Sequence, residues 1–220
     1  MHQSNPLIRT AKLPSWALAL AIVAWVSAAT SAWYGITSFG FSGLRLTDEE
    51  THATWPEASS IVRNAQRPTL LLFLHPHCAC SRATVEELER LHTLAPASSL
   101  PSIYIVASAP RDVGDRWWSS SLLGRTARLP NARIINDAGG VETARFGAQL
   151  SGTVLLYHVD GRRLYAGGVT MARGHDGHNA GIQSVANLLI DSNAQIAPIP
   201  VFGCKVVRET SAEVAEGDSI

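Results

Sequence analysis

The stretch TLLLFL, Thr69 to Leu74, constrains the fold more than any other part of this chain. A run of strand length that is apolar throughout, with no polar alternation, fits a strand buried on both faces, as in a parallel sheet covered by helices. The period then changes. Val85, Leu88, Leu91 and Leu94 recur along one stripe while Glu86, Glu87, Glu89 and Arg90 fill the other side, which predicts an amphipathic helix ending before Pro96. Between strand and helix stands HPHCACS, His75 to Ser81, with two histidines and two cysteines, Cys78 and Cys80, one residue apart.

The remaining elements follow in a regular order. Ile103 to Ala107 (IYIVA) reads as a second buried strand, Asp112 to Arg128 as a helix carrying Trp117 and Trp118, Ala132 to Ile135 as a short strand, and Gly140 to Phe146 as a short helix. TVLLYHVDGRRLYAGG gives two strands around Asp160-Gly161, a hairpin signal. A last helix, Gly181 to Asp191, turns Ile182, Val185, Leu188 and Leu189 to one face. Parallel strands joined by helical crossovers and finished by an antiparallel hairpin predict a three-layer α/β/α sandwich over residues 67–193. A C-terminal extension, 194–220, follows, and its tail from Glu209 to Ile220 reads as disordered.

Ahead of the domain, WALALAIVAWVSAATSAWYGI from Trp16 to Ile36 holds no charge over about twenty residues, the span of a bilayer's hydrocarbon core. Arg9 and Lys12 precede it and no Lys or Arg follows until Arg45, so the positive-inside rule leaves residues 1–14 in the cytoplasm and exports everything after the span at 15–36. A cleaved signal peptide is the competing reading, since small residues from Ser27 to Ala32 suit a peptidase. Residues 37–66 read as a juxtamembrane connector, in which Thr47 and Glu50 have capping-box spacing. With 18 basic and 18 acidic side chains the formal charge is zero, which leaves no electrostatic footprint for a nucleic acid.

The export compartment gives cysteines a chemical use. Cys78, Cys80 and Cys204 are an odd number, so one thiol is always left over. A thiol at a helix N-terminus has its thiolate stabilised by unpaired N–H groups and the helix dipole. A helix starting at Cys78 puts Cys80 in its first turn; one starting near Thr84, whose spacing to Glu87 also fits a capping box, leaves both on a loop. A Cys-x-Cys disulfide closes a very small ring, which favours an oxidising, exchangeable bond. His75 and His77 are placed to assist the thiols. The same types also suit a soft metal, and Cys78, Cys80 and His77 with His175 form an alternative copper or zinc set, with His178 in the same RGHDGHNAG loop. In that loop Asp176 or Asn179 is suited to cap the last helix. Cys204, in IPIPVFGCKV, is either a resolving thiol brought back over the site or an unpaired cysteine.

RPTLLLFLHPHCACS (Arg67 to Ser81) and DAGGVETARFGAQLSGTVLLYHVDGRRLYAGG (Asp137 to Gly168) resemble the thioredoxin superfamily, and more narrowly its membrane-anchored periplasmic bacterial members of the TlpA/ResA type and the RedB-like branch. The resemblance covers about Trp55 to Asn193. It implies a thioredoxin-like fold on the bacterial inner membrane with its domain in the periplasm, no cofactor, and a thiol- or disulfide-bearing periplasmic or membrane protein as partner. Cys78 would then attack and Cys80 resolve. Two departures are visible: the family's Cys-x-x-Cys spacing lands on Ser81, and the position of its thiol-shielding cis-proline reads Ser151-Gly152-Thr153. Copper chaperones of the Sco type, which share the fold with a wider cysteine spacing, give the copper reading its precedent; a thioredoxin-fold interaction module without activity is the third.

If the span anchors the chain, full-length protein stays with membranes through an alkaline wash, and a reporter enzyme that works only outside the cytoplasm is active when fused after Ile220. Soluble protein with a new N-terminus near Trp33 would show a cleaved signal.

Overall fold

The structure, a computed structural model, describes residues 14–46, 51–177, 179–196 and 199–206. The capping box at Thr47 and Glu50, His178 and the tail from Glu209 lie outside the described residues. The chain forms two compact units, Met1–Gly40 and Phe41–Ile220. The first is essentially helix α1, Ser15–Phe41, which runs past the expected end at Ile36, through Gly35 and Gly40, because no proline interrupts it before Ser42-Gly43. None of its side chains is buried. Its threonine hydroxyls fold back onto its own carbonyls, Thr30 Oγ1 donating to Val26 O at 2.8 Å and Thr37 Oγ1 to Trp33 O at 2.9 Å, so these two add no unpaired donors to an apolar surface. It is long and apolar enough to cross a membrane.

In the second unit the central strand is β1, Thr69–Leu74, with all six residues buried. The other elements are α2 (Ser81–Leu94), β2 (Ser102–Ala109), α3 (Asp115–Trp118), α4 (Ser121–Thr126), β3 (Ala132–Ala138), α5 (Val141–Arg145), β4 (Thr153–Tyr157), β5 (Arg163–Gly167) and α6 (Ala180–Ile190). The sheet order is β3-β2-β1-β4-β5. β1 pairs in parallel with β2, from Thr69 opposite Ser102 to Leu74 opposite Ala107, and antiparallel with β4, from Thr69 opposite Tyr157 to Phe73 opposite Thr153. Alternate side chains of β1 therefore enter two cores. Leu70, Leu72 and Leu74 pack with Val85, Leu88 and Leu91 of α2 and with Ile182, Val185 and Leu189 of α6. Leu71 and Phe73 pack on the other face with Phe146, Tyr157, Ile61 and Trp55. The three-layer α/β/α sandwich expected from the element order is present.

Three local expectations change. The single helix over Asp112 to Arg128 is two short ones, because Ser119 and Ser120 compete for the backbone: Ser119 Oγ donates to Asp115 O at 3.1 Å, and Ser120 Oγ caps α4 by accepting from Leu123 N at 3.1 Å. Glu87, assigned to the solvent face of α2, is fully buried and accepts from Gly177 N at 2.6 Å, so a carboxylate rather than an apolar contact ties α2 to the loop before α6. Residues 51–66, read as connector, pack on the domain: Ser59 Oγ donates to Glu142 Oε2 at 2.7 Å, Ser60 N to Glu142 Oε1 at 3.0 Å, and the Trp55 ring stands 5.0 Å from those of Phe146 and Tyr157.

Asn179 is the cap of α6, its Oδ1 accepting from Gly181 N at 2.9 Å and Ile182 N at 3.1 Å. Asn179→Ala should lower the free energy of unfolding in urea by about 1 kcal/mol and Asn179→Gly by only a few tenths; equal losses would mean that the side-chain oxygen is not the cap.

Candidate functional site

β1 ends where the sheet changes direction, with β2 and β3 on one side and the antiparallel β4 on the other. Such switch points are where open α/β sheets leave a crevice at their strand ends. The chain leaves β1 through tight turns, with Cys78 N donating to His75 O at 2.9 Å and Ser81 N to Cys78 O at 3.2 Å. The helix then begins at Ser81, between the two starts that the sequence allows. Cys80 is the residue before it, already helical at φ −64°, ψ −31°, with no side-chain cap. Cys78 is 2 % exposed and Cys80 half-buried.

The sulfur nearest Cys78 comes from the other end of the chain. Cys204 Sγ stands 2.9 Å from Cys78 Sγ, within hydrogen-bond reach, and Cys204 N donates to Cys78 Sγ at 3.4 Å. Burial pushes the Cys78 thiol up, but hydrogen bonds from the side chains and backbones of Cys204 and Ser81 outweigh it and bring it down to about 7. Cys204 moves the opposite way, pushed up to about 12 by burial and then by the hydrogen bond and charge of Cys78. With Cys78 as thiolate, the shared proton therefore sits on Cys204.

A network of serines holds the junction. Ser81 Oγ and Ser151 Oγ are 2.6 Å apart, and Ser151 Oγ also accepts from His75 N at 2.8 Å. Ser151 N in turn donates to Cys204 O at 2.8 Å. Gly152 takes a left-handed φ of +96° while its N–H donates to Phe73 O at 2.8 Å, and Thr153 Oγ1 donates to Leu150 O at 2.8 Å. Where the resemblance puts a shielding proline, this chain thus has a polar loop that carries the C-terminal segment. Ser151 is visible in the sequence only as a missing proline; its role depends on contacts with two distant segments, the His75–Ser81 junction and Cys204.

The histidines ahead of the thiols pack on each other and on Trp117. His75 Nδ1 accepts from His77 N at 3.2 Å, and both rings stand edge-on to Trp117, at 5.2 and 5.0 Å. Burial, then the neighbouring His77, hold His75 below its ordinary value, so its ring is neutral at pH 7. Beside them a groove of about 990 Å³ opens, lined by His77, Cys78, Arg116, Arg125 and Arg128 among others. Arg125 is committed to Glu86 and Glu89 of α2, at 2.5 and 2.6 Å. Among the described residues no three His, Cys, Asp or Glu side chains gather as a metal ion would need. Cys78, Cys80, His77 and His175 do not gather into one such group.

No protein-family model matches the chain, and no curated protein does. Solved structures do. A hypothetical protein of Sinorhizobium meliloti has 14% identity and a TM-score of 0.56, covering 77% of this chain and 100% of that one. An uncharacterized conserved protein of Geobacillus kaustophilus has 15% identity and a TM-score of 0.52, covering 78% and 91%. A secreted Mycobacterium tuberculosis disulfide oxidoreductase homologous to E. coli DsbE has 15% identity and a TM-score of 0.38, covering 66% and 98%. At such identities the likeness concerns the fold alone.

Since hydrogen bonds to the thiolate hold Cys78 down, its alkylation rate should rise with pH through about 7 and level off above. Ser81→Ala removes one of those bonds and should move the midpoint upward. A wild-type midpoint near about 8.5, the value of an ordinary cysteine, would mean that the thiol is not activated.

Proposed function

We propose that this protein is a thiol–disulfide oxidoreductase of the bacterial periplasm, anchored in the inner membrane by α1, that exchanges disulfides with a thiol- or disulfide-bearing protein through Cys78. The observation that carries the reading is the state of Cys78: a thiol brought down to about 7, at the β1–α2 junction of a thioredoxin-like fold, on the wall of an open groove. A thiolate is the attacking species in exchange, and a thiol that ionises close to ambient pH combines abundance of thiolate with good nucleophilicity. The Cys78-Ala79-Cys80 spacing supplies Cys80 as one source of the second sulfur. Arg9 and Lys12 ahead of an apolar helix support the orientation.

Copper delivery, the other use foreseen for these residues, has no three-ligand group behind it among the described residues. An inactive interaction module would have no need to keep a buried thiol ionised near neutral pH, where desolvation works against the charge.

The reduced full-length protein in detergent should reduce disulfides in a model protein substrate, with dithiothreitol as the terminal reductant. Cys78→Ser should lower that rate at least about 100-fold, because it removes the thiol brought down to about 7 at the groove, while His77→Ala should change it only a few-fold. Full activity in Cys78→Ser would end the reading.

A further inference from the structure

We propose that Cys204, delivered by the C-terminal segment 199–206, resolves the mixed disulfide on Cys78, so that the working redox pair is Cys78 and Cys204 rather than Cys78 and Cys80. The proposal rests on Cys78 being the attacking thiol and adds the identity of its partner.

The position of Cys204 is set by backbone, not by the sulfur contact alone. Leu44 and Val201 exchange both hydrogen bonds, at 2.9 and 2.7 Å, Gly168 N donates to Ile199 O at 3.0 Å, and Val206 N donates to Gln149 O at 3.1 Å. Arg173 Nη1 donates to Gly203 O at 2.6 Å. Val201 and Phe202 are buried in the domain. Gly203 passes so close to the Ser151 loop that a Cβ there would stand 1.8 Å from Ser151 O, an approach that only glycine permits. The segment is thus pinned on both sides of Cys204, and the pinning residue Ser151 is the one that also organises the Cys78 turn. A Cys78–Cys204 bond spans two separate segments and is free of the small-ring constraint that a Cys78–Cys80 bond carries.

The exchange balances without another reactant. The Cys78 thiolate attacks the disulfide of a partner protein; a bond forms between Cys78 and one partner sulfur, the partner's S–S bond breaks, and its second sulfur leaves as thiolate. Once Cys78 is bonded, its charge and its hydrogen bond no longer hold the Cys204 proton in place. Cys204 then attacks Cys78 Sγ; the Cys78–Cys204 bond forms, the first partner sulfur leaves, and it takes up the proton that Cys204 released. Two electrons pass from the pair to the partner, and a dithiol reductant restores the pair by the reverse sequence.

The test uses reduced full-length protein in detergent and dithiobis(nitrobenzoate), whose coloured thiolate reports each bond broken. In Cys80→Ser, two coloured thiolates should leave per molecule of reagent consumed at Cys78, and no adduct should remain. In Cys204→Ser, the second release should be at least about tenfold slower, with the nitrobenzoate held on Cys78 by mass. The opposite pattern, an adduct kept by Cys80→Ser and rapid second release in Cys204→Ser, would overturn the proposal while leaving Cys78 as the attacking thiol. Undiminished reaction of Cys78→Ser at neutral pH would remove the attacking thiol itself. Wild-type protein oxidised with one equivalent of reagent gives a reading that needs no variant: trypsin should release the peptide ending at Arg82 linked to the one ending at Lys205, with fragment ions placing the bond at Cys78, and a bond at Cys80 or a loop within the first peptide would overturn the pair.

Discussion

The structure depends on β1 being paired on both edges and packed on both faces. Its parallel partner β2 and antiparallel partner β4 take up its backbone groups, and its side chains alternate between two cores. A strand so enclosed cannot slip by one residue without sending its leucines to the wrong face. Its C-terminal end is therefore a fixed point, and the turn from His75 to Cys80 starts from a rigid edge. Chemistry that needs sulfur atoms held within a few tenths of an ångström is better supported there than on any surface loop.

Around that fixed point two opposing effects act on one thiol. Covering Cys78 removes it from water, which disfavours its charge; the same cover, formed by the 199–206 segment and the Ser81–Ser151 pair, brings the donors that favour the charge more strongly. The cover and the activation thus come from the same residues. Where the thioredoxin resemblance puts a proline that shields without donating, this chain shields with a segment that carries an N–H and a second thiol, both of Cys204.

Local pattern carried most of the architecture. The uninterrupted TLLLFL run, the 3.6-residue stripe of α2 and the Asp160-Gly161 turn each depend on neighbours in sequence, and each stands where it reads. The departures share one cause. Glu87 lies on what is the polar side of its helix until the loop at Gly177 closes over it. Ser119 and Ser120 break an otherwise acceptable helix because their hydroxyls find backbone groups. Trp55, Ile61 and Ser59 sit in a stretch with no periodicity, and their place in the domain comes from Glu142 and Tyr157, each far along the chain.

The same division runs through the site. The sequence by itself determined that a thiol would stand at the end of a buried central strand, ahead of an amphipathic helix, in a chain that begins with an apolar span, because burial and periodicity are local properties of the chain. Which sulfur faces Cys78 was decided only by tertiary structure. Cys80 is two residues away in sequence and Cys204 is 126, yet it is Cys204 whose sulfur stands 2.9 Å from that of Cys78, carried in on backbone hydrogen bonds to the loop leading into β4. Sequence proximity fixes how far apart two residues can be; it does not fix where their side chains point, and a disulfide or a shared proton answers to direction as much as to distance.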